Sequence, residues 1–274
     1  MKTAIISGAT GTIGSAICDA YVAQGYGVTL LVRDKKKCEK KFQHVDINIV
    51  SLDLCDQQHV TRAFEAHYAC YGISPSVVIH AAATQVPIGL MWEVDSQEWA
   101  HTIDVNCVAS FLMSRTAIQF AMKDSVACSI VLFSGGGACY ARPYFSAYGV
   151  SKTAVLRLVE TTAEELKLKR LDQQIQINAL APGAVFSNMT HQIIAAEEYI
   201  GKDIANEAKN MSTSLNTPGD AVQLCLFLTD REQNGGLNGR LIHAQEPYQT
   251  YSKRATDIQK SEQGLLRRVA IQDA

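Results

Sequence analysis

Short aliphatic and β-branched runs alternate with longer amphipathic stretches along most of this chain, and that alternation narrows the possible folds more than any other feature. Runs at 4–7, 28–32, 47–52, 77–81, 129–134, 176–181 and 239–244 read as strands. Helical stretches lie between them at 13–24, 57–71, 95–122, 148–170 and 220–228, the third with room for a break near its start. Residues 35–41 form a basic stretch after the second run. A strand, a helix and a second strand make a parallel βαβ unit with a right-handed crossover. Repeated along one chain, such units build an α/β fold in which a doubly wound parallel sheet carries helices on both faces. No Pro/Gly/Ser linker, internal repeat or low-complexity tract divides the chain, so residues 1–274 are expected to form a single domain.

Composition removes several function classes. With 47 % hydrophobic and 19 % charged residues the chain is of ordinary globular type, and a net charge of −2 gives no reason to expect a nucleic acid or membrane surface as partner. No apolar run approaches the ~20 residues that span a bilayer. The opening strand runs straight into a glycine turn, which argues against a signal peptide. The eight cysteines show no paired framework, and the seven histidines show no metal-ligand spacing. A cytoplasmic protein with reduced thiols and no metal is expected.

The chemistry begins at the turn after the first strand, where Gly8, Thr10, Gly11, Thr12, Ile13 and Gly14 lead into a helix. Glycines at that place allow a tight turn and let backbone N–H groups approach a pyrophosphate, the arrangement of a Rossmann-type dinucleotide site. Further on, Tyr148 and Lys152 stand four residues apart, on one face of a helix. A phenol of pKa near 10 is a poor acid–base catalyst at neutral pH until a nearby cation stabilises its phenolate. The lysine ammonium and a nicotinamide cation can supply that field in a dry cleft.

Together the glycine turn, Asn106, Tyr148 and Lys152 make the chain resemble the short-chain dehydrogenase/reductase family almost end to end. The family turn is Thr-Gly-x-x-x-Gly-x-Gly. Here Ser7 replaces the Thr, Thr12 stands where the middle Gly is expected, and Gly11 comes one place earlier. The resemblance implies a carbonyl/alcohol oxidoreductase in which Tyr148 moves the proton and Lys152 tunes it. Asn106 corresponds to a family Asn that holds a relay water, and equally reads as a buried Asn at a helix irregularity. The family also places a carbonyl-orienting Ser thirteen residues before the Tyr, which ungapped falls on Gly135. One inserted residue within 135–143 makes it Ser134, the assignment taken here, with a turn-forming Ser as the alternative.

The same resemblance implies contacts to the cofactor. Asp53 and its neighbour Leu54 would meet adenine, and Ala81 and Ala82 would line the site after the fourth strand. Pro182, Gly183, Val185 and Ser187 would reach the nicotinamide end. Val32 occupies the place where NAD users carry an acid, and Arg33 falls where NADP users often carry a base, so NADP(H) is favoured over NAD(H). A solvated basic loop, with Asp34 on a ribose, is the alternative.

Residues 188–216 would cover the substrate. Met189, Ile193, Ile194 and Tyr199 would form an apolar wall there or simply pack on the core. The 245–274 tail departs from the family pattern and resembles a bacterial subgroup linked to surface-polysaccharide sugars. The expected partner is a small carbonyl or alcohol, a sugar among the candidates. A homodimer or homotetramer is expected through the 95–122 and 148–170 helices. A nucleotide-sugar epimerase or dehydratase with retained NAD, and a non-catalytic dinucleotide sensor, are the competing readings.

Overall fold

A computed structural model describes residues 1–43, 47–211 and 217–268. Seven strands form one parallel sheet: β1 (Thr3–Ser7), β2 (Gly27–Val32), β3 (Asn48–Ser51), β4 (Val77–His80), β5 (Cys128–Phe133), β6 (Ile175–Ala181) and β7 (Leu241–His243). Their spatial order is β3-β2-β1-β4-β5-β6-β7, so the winding reverses between β1 and β4. An open sheet offers its ligand crevice at that reversal, beyond the carboxyl ends of the strands.

Helices cover both faces. α1 (Thr12–Ala23), α2 (Lys35–Lys41) and α3 (Gln57–Tyr71) connect the first strands, with α4 (Ser96–Ile103) and α5 (Ala109–Asp124) before β5 and α6 (Ser146–Leu168) before β6. α7 (Asn188–Ala195), α8 (Glu197–Ile200), α9 (Lys202–Asn210), α10 (Pro218–Thr229) and α11 (Arg231–Asn234) precede β7. A 3₁₀ segment (Tyr248–Arg254) and α12 (Ala255–Lys260) follow it.

Every residue of β1 is buried, because successive side chains serve different cores. Ala4 and Ile6 join Ile17, Tyr21, Leu224 and Leu228 on the α1/α10 face. Ile5 joins Phe64, Met113, Val155 and Val159 on the α3/α5/α6 face. The strands therefore read as continuous apolar runs instead of alternating ones.

Local detail differs from the sequence reading in three places. The basic 35–41 stretch is helix α2, whose N-terminus Asp34 caps by accepting from Lys37 N at 3.0 Å. The break expected within 95–122 is a π-helical turn at Asp104–Val108, joining α4 to α5. α6 begins at Ser146, which places Tyr148 in its first turn and Lys152 one turn on. Of the covering region expected at 188–216, residues 212–216 lie outside the described residues, as do 269–274 of the tail.

Candidate active site

The glycine turn sits at the carboxyl end of β1, beside the switch point. Gly8 has φ +77°, and a Cβ there would meet the backbone of Ala81 and Ala82 at 2.6 Å. A Cβ on Gly14 would overlap the Gly8 carbonyl, so the first turn of α1 closes on the loop only without a side chain. Gly11 N donates to Gly8 O at 3.0 Å and sets the turn. Thr12 opens α1, no side chain caps that end, and no acid stands in its first turn. Its free N–H groups and the helix dipole therefore favour an anion. Ile13 anchors the helix in the α1/α10 core, and Lys41 Nζ donates to Thr10 O at 3.4 Å. The loop thus has the backbone geometry and the local charge to hold a pyrophosphate.

At the end of β2, Val32 is buried and Arg33 is exposed. Ser51 Oγ donates to Arg33 O at 2.9 Å and fixes the backbone there. Asp34 is already engaged as the cap of α2. Asp53 is exposed and accepts from Cys55 N at 2.9 Å, while Leu54 packs partly buried against the α3/α5/α6 core. Burial raises the Cys55 thiol to about 11, with Asp53 adding to the rise and Arg33 opposing it, so the acid and the base share one neighbourhood. Across the switch point, Ala82 N donates to Ser7 Oγ at 3.4 Å, and Ser7 Oγ shares a 2.8 Å hydrogen bond with His80 Nδ1. Burial, and secondarily Lys152, hold His80 down at about 3, so it is a neutral spacer at any ordinary pH.

Tyr148 and Lys152 come together as their spacing implied. Lys152 is only 2 % exposed, and its Nζ donates to Phe133 O at 2.8 Å and stands 5.7 Å from the centre of the Tyr148 ring. Burial lowers the Lys152 ammonium to about 8. Burial likewise raises the Tyr148 phenol, Arg142 pulls it back down, and Tyr140 adds to the rise.

Asn106 sits fully buried in the π turn. Its Oδ1 accepts from Thr84 N at 2.9 Å, and its Nδ2 donates to Thr84 O at 2.7 Å and Ser151 Oγ at 2.9 Å. Both amide donors are therefore occupied in tying the loop after β4 to α6. Ser134 is also buried, and its Oγ donates to Lys152 O at 3.4 Å. The residue standing against the Tyr148 hydroxyl is Gly135, where a Cβ would lie 2.5 Å from Oη. That is the position which ungapped counting selects.

Pro182 and Gly183 follow β6, with Gly183 at φ +75° against His243 of β7. Val185 is buried and its carbonyl accepts from Thr190 Oγ1 at 3.3 Å, while Ser187 N donates to Thr190 Oγ1 at 3.1 Å where α7 begins. Ile193, Ile194 and Ile200 from α7 and α8 pack with Phe145 and Tyr148. Gln85 Nε2 donates to the Met189 carbonyl at 2.5 Å, and Tyr199 is 67 % exposed. Of the four apolar residues singled out for that wall, two therefore reach Tyr148's cluster. Arg142, also beside Tyr148, is a residue that sequence patterns alone did not flag.

The short-chain dehydrogenase family model matches residues 2–198, which carry the glycine turn, the switch point and the Tyr148/Lys152 helix. The chain belongs to the short-chain dehydrogenase family. This short-chain dehydrogenase is 26 % identical over 235 residues to the NADP-dependent (R)-specific alcohol dehydrogenase of Lentilactobacillus kefiri, covering 84 % of its own length and 90 % of the relative's. It is 25 % identical over 241 residues to dehydrogenase/reductase SDR family member 4 of Homo sapiens, with 84 % and 82 % covered. In fold it is similar to ligand-free Thermoplasma acidophilum aldohexose dehydrogenase, with TM-score 0.74 at 22 % identity over 88 % of this chain and 91 % of that one. The family is one of NAD(P)-binding oxidoreductases acting on alcohols and carbonyls. Among the described residues of this short-chain dehydrogenase, no helix is long and apolar enough to cross a membrane.

Proposed function

We propose that this short-chain dehydrogenase interconverts a carbonyl and an alcohol with NADP(H), using Tyr148 as the acid–base and Lys152 as its tuning cation. The observation carrying this reading is the buried Lys152 ammonium, anchored on Phe133 O and 5.7 Å from the Tyr148 ring. When bound, the nicotinamide cofactor supplies or accepts the hydride. Tyr148 Oη gives its proton to the carbonyl oxygen in reduction and takes it back in oxidation. The lysine charge favours the phenolate, and α7 and α8 close an apolar wall over the ring. Gly8, Gly11 and Gly14 cradle the pyrophosphate at the N-terminus of α1, and Ala81, Ala82 and the Pro182–Ser187 backbone line the path to the nicotinamide.

Arg33 favours NADP(H), because an exposed guanidinium at the end of β2 can hold a 2′-phosphate while Asp34 is engaged as a helix cap. Ser134 and Asn106 serve as positioning residues in this reading, since the Ser134 hydroxyl is bonded to Lys152 O and the Asn106 amide to Ser151 Oγ, both on α6. The test is a panel of ketones, aldehydes and alcohols, sugars included, followed by nicotinamide absorbance with each cofactor. Turnover faster with NADPH than NADH is expected. Tight cofactor binding without turnover of any compound would instead indicate a dinucleotide sensor.

A further inference from the structure

The loop between β5 and α6 offers no side-chain donor at the point facing Tyr148 Oη. Position 135 is glycine, and the Ser134 hydroxyl is turned to Lys152 O. The same loop supplies a different group. Arg142 is half-buried, with its stem packed beside Gly137 and its guanidinium carbon 3.9 Å above the Phe145 ring centre and 5.8 Å from the Tyr148 ring centre. Among the described residues, no carboxylate pairs with it and no acceptor takes its N–H groups. Burial works against its charge, and only the ionised forms of Tyr148 and Tyr140 would favour it.

Stacking uses the face of a guanidinium and leaves its five in-plane donors pointing outward. A half-buried cation whose N–H groups have no acceptor loses hydration that stacking on an aromatic ring repays only in part, and a ligand that accepts from the fork completes it. Phe145 belongs to the apolar cluster formed by Tyr148, Ile193 and Ile200, so the fork stands at the polar edge of a greasy wall. We propose that Arg142 is a specificity-determining residue which binds a carboxylate on the carbonyl or alcohol substrate, orienting the reacting carbon toward Tyr148. The ligand class is an oxo or hydroxy acid with an apolar body. A single planar carboxylate matches one guanidinium fork. A phosphate dianion in this apolar setting would call for a second cation, and Lys152 is already bonded to Phe133 O. The inference rests on the oxidoreductase reading above.

The experiment compares 2-oxo and 4-oxo acids of increasing chain length with their methyl esters, using wild type, Arg142→Lys and Arg142→Met. Wild type is expected to favour acid over ester at least tenfold in kcat/KM. Arg142→Met should erase that ratio through KM for the acid, and Arg142→Lys should keep part of it. NADPH titration, read by nicotinamide fluorescence, reports whether each variant is folded. An ester preference in wild type, or an unchanged ratio in Arg142→Met, overturns the proposal. Benzoate binding to the NADPH-loaded protein, followed by calorimetry, separates this proposal from the oxidoreductase reading. If no compound turns over, that reading fails, and the carboxylate site still stands only if benzoate binds at least tenfold more weakly to Arg142→Met. Benzoate binding that is absent or independent of Arg142 sinks the site itself.

Discussion

The Cα of Gly135 and the hydroxyl of Tyr148 pack so closely that a Cβ on residue 135 would stand 2.5 Å from Oη. The reacting end of the tyrosine is therefore set from two directions, by the β5–α6 loop in front of it and by α6 behind it. Gly135→Ala must push either the loop or the phenol aside. Overpacking of this kind costs about 1–3 kcal/mol, and a displaced catalytic hydroxyl lowers kcat by roughly tenfold to a hundredfold. Urea unfolding and steady-state kinetics measure the two effects separately. A variant with unchanged kcat would show that the hydroxyl does not work from this position.

Removing the hydroxyl itself should leave cofactor binding intact. Tyr148→Phe keeps the ring, whose other neighbours are Phe145, Ile193 and Ile200. Proton transfer by a placed side chain contributes ~10²–10⁴-fold. A loss of kcat of at least about a hundredfold is expected, with NADPH affinity within about threefold of wild type by fluorescence titration. Undiminished turnover would remove Tyr148 from the mechanism.

Cofactor preference should turn on Arg33. Its side chain is exposed and its backbone is pinned by Ser51, so truncation leaves the strand in place. Hydrogen bonds to charged groups contribute about 1.5–3 kcal/mol, so Arg33→Ala is expected to weaken NADPH binding by roughly tenfold or more. NADH, which lacks the 2′-phosphate, should bind almost as before. Equal losses for both cofactors would show that Arg33 does not read the phosphate.

Lys152 should be a stability liability at neutral pH. Its ammonium sits at about 8 in the folded chain against an ordinary 10.5, lowered by burial. Below pH 8 both folded and unfolded chains carry the proton, so the full burial penalty is present. Between about 8 and 10.5 the unfolded chain holds the proton and the folded chain releases it, so stability rises with pH across that window. Lys152→Met removes the penalty but leaves Phe133 O without its donor. The net gain at pH 7 is on the order of 2 kcal/mol; it falls through zero within the window and becomes a net loss near its upper end, where only the missing hydrogen bond remains, while activity is lost. Urea midpoints at pH 7 and 10 check the sign; a variant less stable than wild type at pH 7 would reverse it.

How much was legible in advance divides along a physical line. Strand and helix alternation, the glycine turn and the Tyr148/Lys152 spacing are local, because periodicity, φ preference and the i, i+4 relation act between near neighbours. From them the parallel sheet, its switch point and the family resemblance follow. α2 escaped because seven residues with one buried position, Cys38, make almost no amphipathic pattern. The break within 95–122 became a π turn whose buried Asn106 bridges Thr84 and Ser151, partners 22 and 45 residues away.

The tertiary structure alone decided which residue faces the Tyr148 hydroxyl. Counting along the chain reached Ser134 only by allowing one inserted residue in the 135–143 loop, since ungapped it falls on Gly135. Packing of the β5 end against α6 turned Ser134 toward Lys152 O and put Gly135 before the phenol. It also stacked Arg142 on Phe145, with no carboxylate among the described residues to pair with it. No local propensity determines either arrangement, because each depends on where two separate elements meet in space.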